Sequence, residues 1–338
     1  MRWDIGVDLG TRNVRVVTGG GEPLFQAAAL AVLDGQETPL CAGDAAFALY
    51  GRECAGAKVC FPLEDGTLRN NEHARRLFQW VLAAAGERSR ARRARMLITC
   101  APFARPVQQE ALLRAALDAG ASEAALLRSD AAQALGAGMD VRAPEAALVV
   151  DVGAGKISAT LFTRGLVAAF AYLPYGMLRV DERLARLLRT ELGLLVGPRT
   201  VEEVRLSLAS ALAAADVEMA AAGLNARTRL PEIFHVRPQI VERALGGVVE
   251  EILGMVAGVV DNAPEELAAD LNDAGCVLTG GGALLPGLDK RLGDHLGIPC
   301  RVADAPQACG AVGLSRAMDA PDAHASLLME SMARTARH

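Results

Sequence analysis

One short design occurs twice in this chain. Ile5-Gly-Val-Asp-Leu-Gly-Thr-Arg-Asn13 and Leu148-Val-Val-Asp-Val-Gly-Ala-Gly155 each run an apolar strand into Asp-x-Gly, pass through a tight turn and continue into a second apolar run. Glycine turns leave backbone N–H groups open to an anion, so two such turns facing each other form a clamp for a phosphate tail. Asp8 and Asp151 then stand where Mg²⁺, through its waters, bridges to the phosphates.

The rest of the composition is compatible with a large buried core. Of 338 residues 51% are hydrophobic, enough for two domains or one elaborate one. A net charge of −5 gives no basic character of the kind that nucleic acid requires. Seven cysteines are scattered without a CxxC spacing, which argues against a zinc site or a disulfide framework and for reduced thiols in the cytoplasm. Only Met1, Arg2 and Trp3 precede the first strand, leaving no room for a signal peptide, and the apolar stretch from Ala244 to Val260 is interrupted by Glu250, Glu251 and glycines.

Pattern and punctuation predict β-hairpins over 5–17 and 146–162, and helices over 71–85 and 106–119. Longer helices follow over 178–192, 200–215 and 238–260, so the second half reads as helix-rich. A strand over 275–278 enters Thr279-Gly-Gly-Gly-Ala-Leu-Leu285, and a helix runs on to about Leu296. Strand, glycine turn and helix bring backbone close to a ligand. The tail from Asp319 to His338 is expected to be a short or frayed helix. Glu87-Arg-Ser-Arg-Ala-Arg-Arg-Ala-Arg95, with five arginines in nine residues, reads as a solvated loop or as a patch for anionic lipid, worth about 1 kcal/mol per basic residue.

Other motif readings fail. Gly153-Ala-Gly-Lys-Ile157 lacks the P-loop's first glycine, where Val150 stands, and its Ser or Thr after the lysine. Gly19-Gly-Gly21 leads to Glu22-Pro23 rather than into a dinucleotide-binding helix. The five histidines are isolated, and Glu202-Glu203 and Glu250-Glu251 sit on predicted helix faces, where solvation is the ordinary outcome.

Taken together, the loops resemble the nucleotide fold shared by actin, Hsp70 and sugar kinases, and within it the bacterial actin MreB family. Asp8-Leu-Gly-Thr-Arg-Asn13 resembles the first phosphate loop, DLGTAN; Asp151-Val-Gly-Ala-Gly155 the second, DIGGG; Thr279-Gly-Gly-Gly-Ala-Leu-Leu-Pro-Gly-Leu-Asp289 the adenosine loop; Gly197-Pro-Arg-Thr-Val-Glu-Glu-Val-Arg205 the segment GERTAEEIK. The resemblance extends from Asp4 to Met318. It implies an α/β actin-like ATPase fold, with duplicated sheet-plus-helix domains over 1–143 and 144–318 around a nucleotide cleft and a C-terminal tail over 319–338. Carried over by position, Asp8 and Asp151 serve a water-bridged Mg²⁺ and catalysis. Gly10, Thr11, Arg12, Asn13, Gly153, Ala154 and Gly155 cradle the phosphates. Glu202, Glu203 and Arg205 lie beside ribose and adenine, and Gly280, Gly281, Gly282 and Ala283 close over the nucleotide. The resemblance also implies ATP as ligand and self-association into filaments on the inner face of the cell membrane, with cell-shape and cell-wall-synthesis membrane proteins as partners.

Departures from that pattern fall where water would be activated. The family's IEEPMAAA segment aligns with Leu127-Arg-Ser-Asp-Ala-Ala-Gln-Ala134, placing Ser129 where a Glu orients the attacking water and Asp130 next to it; the TTE after the second loop becomes Lys156-Ile157-Ser158. Losing these groups slows turnover more than it weakens binding. Asp130 is the candidate replacement carboxylate, and Lys156 the candidate replacement charge near the γ-phosphate. Two functions are therefore expected: a filament protein with weakened hydrolysis, or a non-hydrolysing homologue that tunes a paralogue's filaments. With no family-type amphipathic N-terminal helix, membrane contact falls to the arginine run, to Trp3, or to a partner protein.

Overall fold

A computed structural model describes residues 3–19, 23–34, 36, 38–54, 56–86, 94–212 and 217–334, residues 330–334 by their backbone alone. Both expected hairpins are present and both are central. Ile5–Leu9, buried along its whole length, pairs antiparallel with Asn13–Thr18 and parallel with Arg95–Cys100. Ala147–Val152, equally buried, pairs antiparallel with Ile157–Thr163 and parallel with Cys276–Thr279. A strand covered on both faces does not alternate; each is apolar except for one buried aspartate near its end, Asp8 and Asp151.

Around these hairpins the two sheets follow one five-strand plan. The first orders Glu123–Arg128, Arg95–Cys100, Ile5–Leu9, Asn13–Thr18 and Leu24–Ala27; the second orders Cys300–Val302, Cys276–Thr279, Ala147–Val152, Ile157–Thr163 and Leu166–Leu173. The duplication read from two turns thus extends to whole sheets. Each carries a smaller insert: Leu30–Leu33, Cys41–Ala42 and Ala57–Cys60 beside the first, and Leu194–Leu195, Met219–Asn225 and Pro231–Val236 beside the second. Helices Asn71–Gly86 and Pro106–Asp118 bury Leu77, Phe78, Val81, Leu112 and Leu113 against the first sheet, while Met177–Leu192 and Pro238–Asp261 bury Val180, Leu184, Val248 and Ile252 against the second.

The halves join through two crossing helices, Ser129–Gly136 and Cys309–Asp319. Their backbones meet without intervening side chains: a Cβ added at Gly136 would lie 1.8 Å from the carbonyl oxygen of Cys309, and one at Gly313 1.8 Å from that of Ala132. The core around them mixes Leu97 and Leu127 of the first sheet with Val149 and Phe162 of the second. Further out, Phe103 stacks on Tyr172 with centroids 4.0 Å apart, and Arg199 Nη1 donates to the Ala48 carbonyl at 3.2 Å, so the halves also touch away from the crossing.

Three expectations are corrected. The tail is not a frayed helix: after a short 3₁₀ turn at Ala325–Leu327, Leu328–Arg334 pairs antiparallel with Glu123–Arg128 and becomes the sixth strand of the first sheet, capping an otherwise open edge. Trp3 is 3% exposed in the inter-helix core, which removes it from any membrane contact. The helix expected over 200–215 spans Pro198–Leu208, and Ala209 turns the backbone to an extended conformation. Most of the arginine run, residues 87–93, lies outside the described residues. Among the described residues no helix is long and apolar enough to cross a membrane.

Candidate functional site: a cleft between two matched turns

Both turns close by the same bond. The amide of Gly10 donates to the Asn13 carbonyl at 2.9 Å, and that of Gly153 to the Lys156 carbonyl at 2.8 Å. The turns also touch across the cleft, since a Cβ on Gly155 would fall 2.3 Å from Thr11 Oγ1. Helix Met177–Leu192 begins against the second turn, with the amides of Met177 and Leu178 donating to the carbonyls of Gly153 and Ala154 at 3.0 and 2.9 Å. Gly280, at φ +81°, holds the third loop close: a Cβ there would sit 2.6 Å from Asp151 Oδ1. Gly310 does the same for Asp8, 2.4 Å from Oδ2, a role the sequence reading missed.

These loops enclose a cavity of about 140 Å³, lined by Asp8, Gly10 through Asn13, Asp151, Gly153 through Lys156, Gly280 and Gly281. It borders a wider cleft of about 940 Å³ that shares Thr11 and Arg12 and reaches Tyr175, Asp181 and Pro198. The Arg12 guanidinium is boxed by Tyr50 and Phe61, at 5.0 and 4.8 Å from their centroids, with Phe47 at 5.9 Å, tying the first turn to the small insert.

The MreB/Mbl protein family matches residues 2–326. The chain belongs to the MreB/Mbl family. It is 30% identical to the cell shape-determining protein Mbl of Bacillus subtilis (strain 168) over 321 residues, 94% of this chain and 96% of that protein. To the cell shape-determining protein MreB of Escherichia coli (strain K12) it is 29% identical over 328 residues, 95% of this chain and 94% of that one. MreB5 of Spiroplasma citri bound to AMPPNP superposes with a TM-score of 0.89 at 23% identity, covering 96% of this chain and 98% of that one. The MamK double helical filament gives 0.79 at 20% identity, covering 94% and 99%. These two show the actin-like fold.

Against the MreB/Mbl pattern the positions sort clearly. Ser129 lines the cavity, but Asp130 does not. It is 1% exposed, and its carboxylate accepts from Arg128 Nη2 at 2.6 Å, Arg128 Nε at 3.1 Å and Thr160 Oγ1 at 2.7 Å. Gln133, one helical turn beyond Ser129 on the same face, lines the cavity instead; its Oε1 and Ser129 Oγ are both buried without a hydrogen-bond partner. The i, i+4 spacing was the available signal for Gln133. Ile157 is fully buried in the core against the second sheet. Cys100 also lines the cavity, but burial pushes its thiol up to about 12, so it stays protonated.

Of the residues expected beside the base, Arg205 is buried and tied to Asp181, Nε to Oδ1 at 2.5 Å, with Glu202 at 3.8 Å. Glu203 is exposed on the outer face, and neither Gly282 nor Ala283 lines the cavity. Burial raises the pKa of Asp181 while Arg205 opposes the shift. Arg205→Ala is therefore expected to strand a buried carboxylate and cost about 3–5 kcal/mol in denaturant unfolding, whereas the paired change Asp181→Asn with Arg205→Met costs less.

The residues present do not fit the expected Mg²⁺ between Asp8 and Asp151. Asp8 Oδ1 accepts from Thr99 Oγ1 at 2.9 Å, and Oδ2 pairs with Arg15 Nη1 at 3.3 Å. Asp151 Oδ2 pairs with Lys156 Nζ. Among the described residues no three His, Cys, Asp or Glu side chains gather as a metal cage.

Proposed function

We propose that this chain is an ATP-binding cytoskeletal protein that self-associates into filaments at the inner face of the cell membrane and organises cell-wall synthesis and cell shape. The observation that carries the reading is the pair of matched phosphate turns in contact at Thr11 and Gly155, in a chain whose family membership spans nearly its whole length. The relatives support the remainder: MreB and Mbl are cell shape-determining proteins, MreB5 binds AMPPNP and ADP, and MamK forms a double helical filament.

In the cleft, the amides of both turns face the phosphate tail, while Arg12, held in its aromatic box, contributes charge at the border with the wider cleft. The chain divides functionally into residues 1–143 and 144–318, with the tail strand returning to the first sheet. Mg²⁺ accompanying ATP would reach Asp8 and Asp151 only by displacing Arg15 and Lys156. Hydrolysis is weak or absent, because no carboxylate stands at Ser129, Ile157 faces the core and Asp130 is held away by Arg128 and Thr160. Ser129 and Gln133 retain polar atoms that can hold a water without acting as its base.

The same replacements favour a second reading, a non-hydrolysing homologue that tunes filaments of a paralogue. Sedimentation of the purified chain with ATP separates the two. Pelleting alone is the expected result for a filament-former; pelleting only with a family paralogue transfers the assignment to the regulator. Attachment at the membrane is peripheral, through the arginine run or through membrane proteins of cell-wall synthesis, and vesicle flotation with anionic lipid distinguishes these.

A further inference from the structure

The two carboxylates that would face a metal each carry a cation of the chain's own. Arg15 stands directly opposite Asp8 across the first hairpin and is held in place by it, with the two side chains 12% and 9% exposed. Lys156 leaves the end of the second turn and folds back onto Asp151, with 13% and 5% exposed. Both cations line the cavity enclosed by the phosphate turns. Within that space each of the two acids is neutralised by its own base and Arg12 adds a further positive charge, so no unneutralised carboxylate pair remains to attract a hydrated divalent ion. A Mg²⁺ placed there would add two positive charges beside an ammonium and a guanidinium in a water-poor setting, where like charges repel strongly. Thr99 further commits the second oxygen of Asp8.

Resting on the nucleotide-cleft reading above, we propose that Lys156 and Arg15 supply the positive charge a divalent metal would otherwise bring, so that this cleft binds a nucleoside triphosphate without Mg²⁺. The two acids hold the cations in place while the site is empty, which lowers the ordering cost when phosphate arrives. The triphosphate, with more negative charge than a carboxylate, then competes for both cations. The acids so released remain at the rear of the cavity, against Gly280 and Gly310.

Calorimetric titration of the full chain with AMPPNP, in excess Mg²⁺ and in excess EDTA, tests this without depending on hydrolysis. The expected dissociation constants agree within about threefold. Lys156→Met combined with Arg15→Met is expected to weaken binding in EDTA by more than about tenfold while leaving a Mg²⁺-dependent component, because a charge-assisted contact is worth at least that factor. Lys156→Arg retains the charge and is expected to retain binding in EDTA, which separates loss of charge from loss of fold. Wild-type binding that is tight in Mg²⁺ and more than tenfold weaker in EDTA overturns the proposal and leaves the nucleotide reading intact. Absence of binding in both buffers overturns both.

Discussion

Replacing Gly313 by leucine is expected to abolish folding. The crossing of Ser129–Gly136 over Cys309–Asp319 is a backbone contact, and even a methyl group at Gly313 would lie 1.8 Å from the Ala132 carbonyl oxygen and 2.8 Å from the Gly136 amide nitrogen. Backbone inside two packed helices cannot swing aside as a flexible side chain can, so the helices must separate and open the core shared by Leu97, Leu127, Val149 and Phe162. The cost exceeds about 4 kcal/mol, a large part of the stability of an ordinary domain. Gly136→Ala strikes the same crossing from the other side and is expected to behave alike. Gly254→Ala is the contrast: it lies exposed within Pro238–Asp261 with nothing within 4 Å of the added atom, and is expected to stabilise by about 0.5–1 kcal/mol. Thermal unfolding of the three variants, followed by circular dichroism, checks the set.

Gly155→Val is expected to destroy nucleotide binding while sparing the fold. The added Cβ would meet Thr11 Oγ1 at 2.3 Å and Thr11 Cβ at 2.9 Å, and valine's two methyls lie beyond it, so the two phosphate turns must part. Anion binding by backbone amides depends on their convergence; separated turns lose several charge-assisted bonds together, and affinity falls more than about a hundredfold. Both turns are closed by their own internal bonds, Gly10 to Asn13 and Gly153 to Lys156, so the strands behind them remain paired. The expected outcome is a melting temperature close to wild type that no longer rises on addition of ATP. A variant that still shows the full ligand-induced rise would place the phosphates elsewhere.

The parts of the site legible in the sequence are those determined locally. Apolar strands, Asp-x-Gly turns and the glycine run at 280–282 announce themselves within a few residues, and the structure brings Asp8, Asp151 and the turn residues to one cavity. Arg15 was legible too, because counting outward from the hairpin turn puts it opposite Asp8. An Asp8 free for a metal, as the turn pattern alone suggests, is incompatible with that cross-strand partner. Asp130 shows the opposite limit: a carboxylate beside the aligned position looks available, but which way it points depends on Arg128 and on Thr160 of the other sheet. The tail strand and the Met219–Asn225 strand were missed for a related reason. Ala220, Ala221, Ala222 and Gly223 have little β-propensity of their own, and pairing with Pro231–Val236 imposes their conformation. Edge pairing likewise recruits Leu328–Arg334, a long-range demand no local pattern carries.

If the duplicated turns clamp a nucleotide, a structure determined with AMPPNP shows it there. The predicted result is triphosphate density between Gly10–Asn13 and Gly153–Gly155, with Lys156 and Arg15 turned from their carboxylates toward the phosphates. Density confined to the wider cleft by Tyr175 and Asp181, with both ion pairs intact and the turns empty, would contradict it.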